Sequence, residues 1–251
     1  MHFLPEPDAP YSSEYLFGEH VTLAKPQSDD QAVLADPAQE QASNWLCVRA
    51  AREGYRGYMR TEHLRPVAQN TATHRVIARS TLAFSDTSIK SRVVARLPFL
   101  SNLTVTDNEH DTFYTTDTGE YIWKSHVQPL GIPVSHSAID LAQSHFLGAP
   151  YLWGGCSPDG IDCSGLIQAL ANALCLPMER DSGDQERALE TTISIDARHA
   201  GDVVYWPGHT GLLLDTQTLL HASADSLSCV VEPLANVVPR AGTISCIKRV
   251  F

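Results

Sequence analysis

The chain has 251 residues, 43% hydrophobic and 19% charged, with a formal net charge of −11, and its length suits one large domain or two to three small ones. An excess of 29 acidic over 18 basic residues speaks against a nucleic-acid surface, which needs clustered Lys and Arg. No apolar run approaches the roughly 18 residues that suggest a membrane span, so neither nucleic acid nor membrane is expected as a partner. Residues 1–10 have no basic segment leading into an apolar one, so no secretory signal is read and a cytoplasmic location is expected. Six cysteines occur without a C-x-x-C pair; no metal or other cofactor is implied, and free thiols are expected in a reducing compartment.

Two N-terminal segments resemble each other. Gly57-Tyr58-Met59 followed by His63-Leu64-Arg65-Pro66 aligns with Glu120-Tyr121-Ile122 followed by His126-Val127-Gln128-Pro129. Matches at one fixed offset predict a duplicated module of about sixty residues. Residues 19–23 and 45–48, then 103–105 and 112–114, alternate apolar and polar like short strands between turn residues. Small all-β modules of this size suit compact barrels. The run LFGEHVTL, continued in NWLCVRAAREGYRGYMRTEHL, resembles bacterial SH3-like barrels, and the second module is looser. The expected organisation is a first barrel over 1–70, a second over 71–131 and a third, larger domain over 132–251.

From Ile132 the pattern changes. Ser135 or Ser137 can cap a helix carrying Ile139, Ala142 and Phe146, which Gly148 and Pro150 end. Leu166, Leu170 and Leu174 recur every fourth residue and predict a second helix stopping before Pro177. A short third helix is expected over 184–189, after Asp181 or Ser182. Strand-like runs follow at 202–206, 210–215, 218–222, 228–231 and 243–250. Helices followed by a run of strands predict an α+β domain with an antiparallel sheet.

Cys163, in Asp162-Cys163-Ser164-Gly165, lies where a loop gives way to the second helix. A thiol there meets the positive end of the helix dipole and unpaired N–H groups, which favour thiolate, and the Cys163 N–H can donate to an oxyanion. His209 and His221 fall on successive predicted strands. They can serve as base and orienter for a thiol only if they share a sheet face, which an unbulged hairpin allows when its loop has an odd number of residues. Taken singly, each of the three is more often structural.

The stretches GAPYLWGGCSPDGIDCSGLIQ, GDVVYWPGHTGLLLD and LLHAS together resemble the NlpC/p60 family of papain-like cysteine peptidases over 132–251. The resemblance implies a papain-like α+β core and a Cys163, His209 and His221 catalytic set. By residue-level match it also implies that Tyr151 helps bind the oxyanion, that Asp162 and Ser164 meet substrate, and that Trp153 forms cleft wall or core. Asp162 or Ser164 can instead simply cap the helix. Arg180-Asp181-Ser182 with Gln185 matches a family pattern read as structural.

Peptidases of this family preceded by such barrels resemble γ-D-glutamyl-L-diamino acid endopeptidases of the dipeptidyl-peptidase VI type, whose substrate is a murein peptide, L-Ala-γ-D-Glu-diamino acid. The first barrel would close one end of the cleft and accept a free L-Ala amine. Glu19 and Tyr55 are the barrel residues that fit an amine clamp by position; Glu19 can also be a solvated turn residue. A cytoplasmic enzyme with that demand would process recycled wall peptides. Two other readings remain: an amidase or acyltransferase using the same Cys–His pair, and a non-catalytic module binding wall fragments.

Overall fold

The computed structural model describes residues 1–25, 44–67, 72–107 and 110–251. The first unit is a three-stranded antiparallel sheet in which β2 (Trp45–Ala50) lies between β1 (Val21–Leu23) and β3 (Arg56–Arg60). The second unit contributes β4 (His74–Val76), β5 (Ser80–Phe84), β6 (Val93–Pro98), β7 (Asn102–Leu103), β8 (Val105–Asp107), β9 (Phe113–Thr116), β10 (Tyr121–Trp123) and β11 (Val127–Pro129). These divide into a five-stranded sheet ordered β6-β5-β10-β9-β8 and a three-stranded sheet ordered β11-β4-β7. Both sheets contribute to one core containing Val76, Ala83, Leu97, Leu103, Ile122 and Val127.

The expected SH3-like barrels are not seen as closed barrels: the described strands form open sheets. The chain changes sheet at Thr104, between β7, which pairs with β4, and β8, which pairs with β9. The predicted continuous strand over 103–105 is thereby split. The two repeated segments share a local fold. Tyr58 lies on β3 and Tyr121 on β10, and each strand runs into a 3-10 turn, Thr61–His63 or Lys124–His126, that ends on the aligned histidine.

The C-terminal part is α+β with an antiparallel sheet, as expected. Ser137 caps α1 (Ala138–Leu141) in a reciprocal capping box with Asp140, and the helix widens into a π turn over Ala142–Phe146 before Gly148 at φ +78°. The loop beyond it holds the small hairpin β12 (Cys156–Ser157) and β13 (Gly160–Ile161). Helix α2 (Cys163–Ala173) follows, then α3 (Ser182–Ala188). The six-stranded sheet is built from β14 (Thr192–Ile193), β15 (Asp202–Trp206), β16 (His209–Leu213), β17 (Thr218–Ser223), β18 (Ser228–Pro233) and β19 (Cys246–Arg249), ordered β14-β19-β15-β16-β17-β18. Helix α4 (Leu234–Ala241), not among the expected elements, leads from β18 towards β19; it contains Pro239, and Leu234, Val237, Val238 and Ala241 recur at helical spacing on its packed face.

Alternation along the strands sorts the sheet into two faces. Val203, Tyr205, Leu212 and Leu220 join Leu166, Ile167 and Leu170 of α2 in the main core. Val204, Trp206, Leu213 and Leu219 join Leu234 and Val237 of α4 in a second core. Helix α2 is thus held in the interior, and its first residue cannot shift without moving that packing. No described helix is long and apolar enough to cross a membrane.

Leu166→Ala, at a side chain with 0% exposure, is expected to cost about 2–5 kcal/mol of stability. Ile132→Ala, at 50% exposure, should cost less than about 0.5 kcal/mol. Urea unfolding of both variants checks the pair.

Candidate active site

Cys163 is the first residue of α2 and is buried, with 8% exposure. Its own N–H belongs to the first helical turn, where amides have no acceptor within the helix. The backbone N–H groups of Ser164 and Thr210 point at its sulfur, which sets the thiol against the start of β16. Burial, with the neighbouring Asp162 carboxylate, pushes the Cys163 thiol up to about 11, and the two amides pull the other way. The helix start therefore does not by itself produce the low thiol pKa expected from the sequence, because desolvation outweighs the amide and dipole contributions. The thiol needs a base.

Asp162 caps the helix. Its Oδ1 accepts from the Gly165 N–H at 2.7 Å and its Oδ2 from the Gly154 N–H at 2.8 Å. Arg180, 1% exposed, closes on both oxygens at 3.0 and 2.6 Å. Ser164 Oγ donates to Asp162 Oδ1 at 3.3 Å and accepts from Arg180 at 3.1 Å. These contacts fill the Asp162 carboxylate and engage the Ser164 hydroxyl. Of the two roles open from the sequence, Asp162 displays the cap, and the Ser164 hydroxyl braces that carboxylate without bonding the helix backbone. The same arginine donates to Ser13 Oγ at 3.0 Å, and Glu14 accepts from the Cys156 N–H at 2.8 Å and from Ser157 Oγ at 3.2 Å. The N-terminal segment is thus tied to the floor beneath Cys163. Cys156 shares this polar cluster, 4.0 Å from Ser13 Oγ.

His209 and His221 come together: His209 Nε2 and His221 Nδ1 are 2.8 Å apart. The register Leu212↔Leu220 and Leu213↔Leu219, with the Leu214 N–H donating to Thr218 O at 2.9 Å, leaves a loop of residues 215–217. An odd loop is the condition for a shared face, and Asp215 Oδ1 holds it by accepting the Gln217 and Thr218 N–H groups at 2.7 and 2.8 Å. Opposite His221 stands Gly211, where a Cβ would lie 2.9 Å from the His221 Cβ. Glycine lets the imidazole lean across to its partner. Trp206 packs beside His209, with ring centroids 5.6 Å apart.

The line continues past the predicted residues. Glu232 Oε1 is 2.8 Å from His221 Nε2, and Arg240 donates to the same oxygen at 2.7 Å while pairing with Asp225 at 3.1 Å. Burial, and secondarily His221, holds His209 down to about 4, so it is neutral at pH 7. Burial also lowers His221, against the opposing pull of Glu232. The Glu232 carboxyl sits below its usual range: burial opposes ionisation, but hydrogen bonds from Arg240 and His221 outweigh it. A neutral imidazole held by a second imidazole that is itself backed by a carboxylate is an arrangement suited to serve a thiol nucleophile in acyl transfer.

Tyr151 lies close enough to feel both Cys163 and Asp162; burial first, and then their charges, push its phenol up to about 12. Trp153 is 62% exposed and belongs to the surface, not the core. With Leu152, Gly154 and Glu19 it lines a groove of about 700 Å3 between the N-terminal segment and the second unit, which stops short of Cys163. Tyr55 approaches the site: burial first, and then the nearby Asp181 carboxylate, raise its phenol pKa, and Arg180 and Asp162 are close enough to act on it as well. Glu19 is placed differently, with Oε1 on Arg52 at 2.9 Å and Oε2 accepting from the Leu16 N–H at 2.9 Å. Each of its oxygens thus has one partner within the N-terminal segment, while the carboxylate near Tyr55 is that of Asp181. Among the described residues, no group of three or more His, Cys, Asp or Glu side chains is arranged to hold a metal ion.

Known proteins give the same outline. Residues 148–244 match the NlpC/P60 family. The γ-D-glutamyl-L-lysine dipeptidyl-peptidase of Bacillus subtilis is 29% identical over 240 residues, covering 90% of this chain and 77% of that protein. The dipeptidyl-peptidase 6 of Lysinibacillus sphaericus is 38% identical over 78 residues, 31% of this chain and 29% of that protein. A crystal structure of an NlpC/P60 family protein from Bacillus cereus superposes with a TM-score of 0.74 at 19% identity, covering 94% of this chain and 81% of that one; it shows the shared fold.

Gly211→Ala is expected to displace His221 and break the histidine pair, at a stability cost of about 1–3 kcal/mol. Alkylation of Cys163 by iodoacetamide at neutral pH, followed by peptide mass spectrometry, should slow by at least about tenfold if the pair supplies the base. Residues 148–244 carry an NlpC/P60 domain, and the chain is a cysteine peptidase.

Proposed function

We propose that the enzyme hydrolyses the γ-D-Glu–diamino acid bond of murein peptides that begin with a free L-Ala, in cytoplasmic recycling of peptidoglycan fragments. The observation that carries this reading is the approach of Tyr55, from the N-terminal unit, to Asp181 near the Asp162–Arg180 pair. A phenol and an exposed carboxylate of separate units thus lie near the pair that caps the Cys163 helix. A carboxylate and a hydroxyl aimed together suit an ammonium group, and an N-acylated substrate would leave the carboxylate unmatched. The likeness to the B. subtilis dipeptidyl-peptidase extends through 90% of the chain, the N-terminal units included. A free-amine requirement suits released fragments, since intact wall has its L-Ala nitrogen acylated.

In this reading Cys163 is the nucleophile. Its proton passes to His209 Nδ1, the ring nitrogen left over from the bond to His221, as the sulfur attacks the γ-carbonyl carbon of D-Glu. The oxyanion meets the Cys163 N–H and the Tyr151 hydroxyl. The C–N bond breaks, and His209 returns the proton to the departing amine of the diamino acid. Water, deprotonated by His209, then cleaves the thioester, releasing L-Ala-D-Glu and restoring the thiol. Asp162 and Ser164 hold the nucleophile in place. Trp153 offers an exposed aromatic wall beside the loop.

Hydrolysis of L-Ala-γ-D-Glu-meso-diaminopimelate should release L-Ala-D-Glu, with loss of activity in Cys163→Ala and with an N-acetylated peptide left intact. Equal cleavage of both peptides would remove the amine requirement and the recycling role. Since His209 must be neutral to take the proton, kcat/KM is retained above its pKa and lost as the pH falls through it. With that pKa lowered by burial, the acid limb of the pH–rate profile is expected below the ordinary imidazole value of about 6.5.

A further inference from the structure

Two residues outside the predicted set control which nitrogen of each histidine carries a proton. Glu232 sits on β18 opposite Leu219, diagonal to His221, and its side chain is 17% exposed. Its Oε1 receives both His221 Nε2 at 2.8 Å and the Arg240 guanidinium at 2.7 Å. Arg240, on α4, is braced by Asp225 from the turn after β17.

An ionised carboxylate only accepts hydrogen bonds, so His221 must present Nε2–H to Glu232. A neutral His221 with its proton on Nε2 has a lone pair on Nδ1. The 2.8 Å contact between His221 Nδ1 and His209 Nε2 then requires His209 to donate from Nε2. His209 is left with its lone pair on Nδ1. The opposite arrangement, with the proton on His209 Nδ1, would set two lone pairs against each other across the histidine contact.

We infer that Glu232, anchored by Arg240, is a positioning residue that fixes both histidines as Nε2–H tautomers and so keeps His209 Nδ1 available as the base. This inference rests on the peptidase reading of Cys163 and His209. It assigns Glu232 no contact with substrate: it acts through His221 alone. The charged and titratable groups that act on the pair are Glu232 on β18, Arg240 on α4 and Asp225 in the turn after β17. Glu232 and Asp225 favour imidazolium, and Arg240 opposes it.

The test uses the full chain labelled with 15N-histidine. Long-range 1H–15N spectra of the wild type at pH 7 should show both His209 and His221 as Nε2–H tautomers. Glu232→Leu should give a mixed tautomer pattern at both rings. Its kcat should fall roughly tenfold to a hundredfold with KM unchanged, because a mis-set tautomer disables the base. Glu232→Gln, whose amide oxygen can still accept from Nε2–H, should recover most of that rate. Its acid limb should still move to lower pH, because the negative charge is gone. Arg240→Gln, which loosens the carboxylate, should fall between the two. If Glu232→Leu does not fold, the tautomer pattern of Glu232→Gln and Arg240→Gln carries the test.

A wild-type His209 protonated on Nδ1, or variants with unchanged tautomers and an unchanged acid limb, would overturn the inference. If the tripeptide is not cleaved by wild type, the tautomers and the iodoacetamide rate of Cys163 still decide the matter, and tautomers as stated with slower alkylation in Glu232→Leu would uphold it.

Discussion

The buried pair between Arg180 and Asp162 is the contact on which the site depends. Two oxygens and one guanidinium meet at 3.0 and 2.6 Å, and the carboxylate also takes the Gly165 and Gly154 amides. A paired charge this well supplied with donors is tolerated in the interior, whereas losing one partner typically costs about 3–5 kcal/mol. Its position gives that energy a use. Asp162 precedes Cys163, so the pair holds the start of α2, the glycine loop before it and, through Ser13, the N-terminal segment in one arrangement. Gly165 makes the close approach feasible: a Cβ there would lie 2.2 Å from the Gly155 carbonyl oxygen.

The sheet imposes the second constraint. Side-chain period two means that a one-residue slip in the β16–β17 hairpin would send His221 to the opposite face. Asp215 in the turn and Gly211 on the strand guard the register and the approach of the rings. The base side and the nucleophile side are therefore built separately. One is made from strand register and ends in Glu232 and Arg240; the other is made from a helix cap buried under Arg180. They meet where Thr210, the residue after His209, turns its N–H to the Cys163 sulfur.

The N-terminal units are part of the active-site region. Ser13, Glu14 and Tyr55 all contact residues of the loop and helices around Cys163. Arg52 crosses the same boundary, bonding Glu19 at 2.9 Å and Gln168 of α2 at 3.2 Å. In that distribution Glu19 pairs with Arg52, and the exposed Asp181, next to Arg180, is the carboxylate near Tyr55.

Local patterns in the chain were sufficient for the helices around Cys163 and the run of strands after residue 200, whereas the grouping of Cys163, His209 and His221 came from the family resemblance. Capping residues, leucine spacing and alternation are short-range signals, and the motif order supplied the rest. Only the fold could show that the hairpin loop is odd and brings the histidines to 2.8 Å, that Glu232 and Arg240 extend the line, and that Asp162 and Ser164 are occupied by Arg180. Those facts depend on register and on contacts between residues far apart in sequence, such as Ser13 with Arg180. The thiol pKa, expected low from the helix start and found raised, differs for the same reason: burial is a property of the assembled chain, and it outweighs the local dipole.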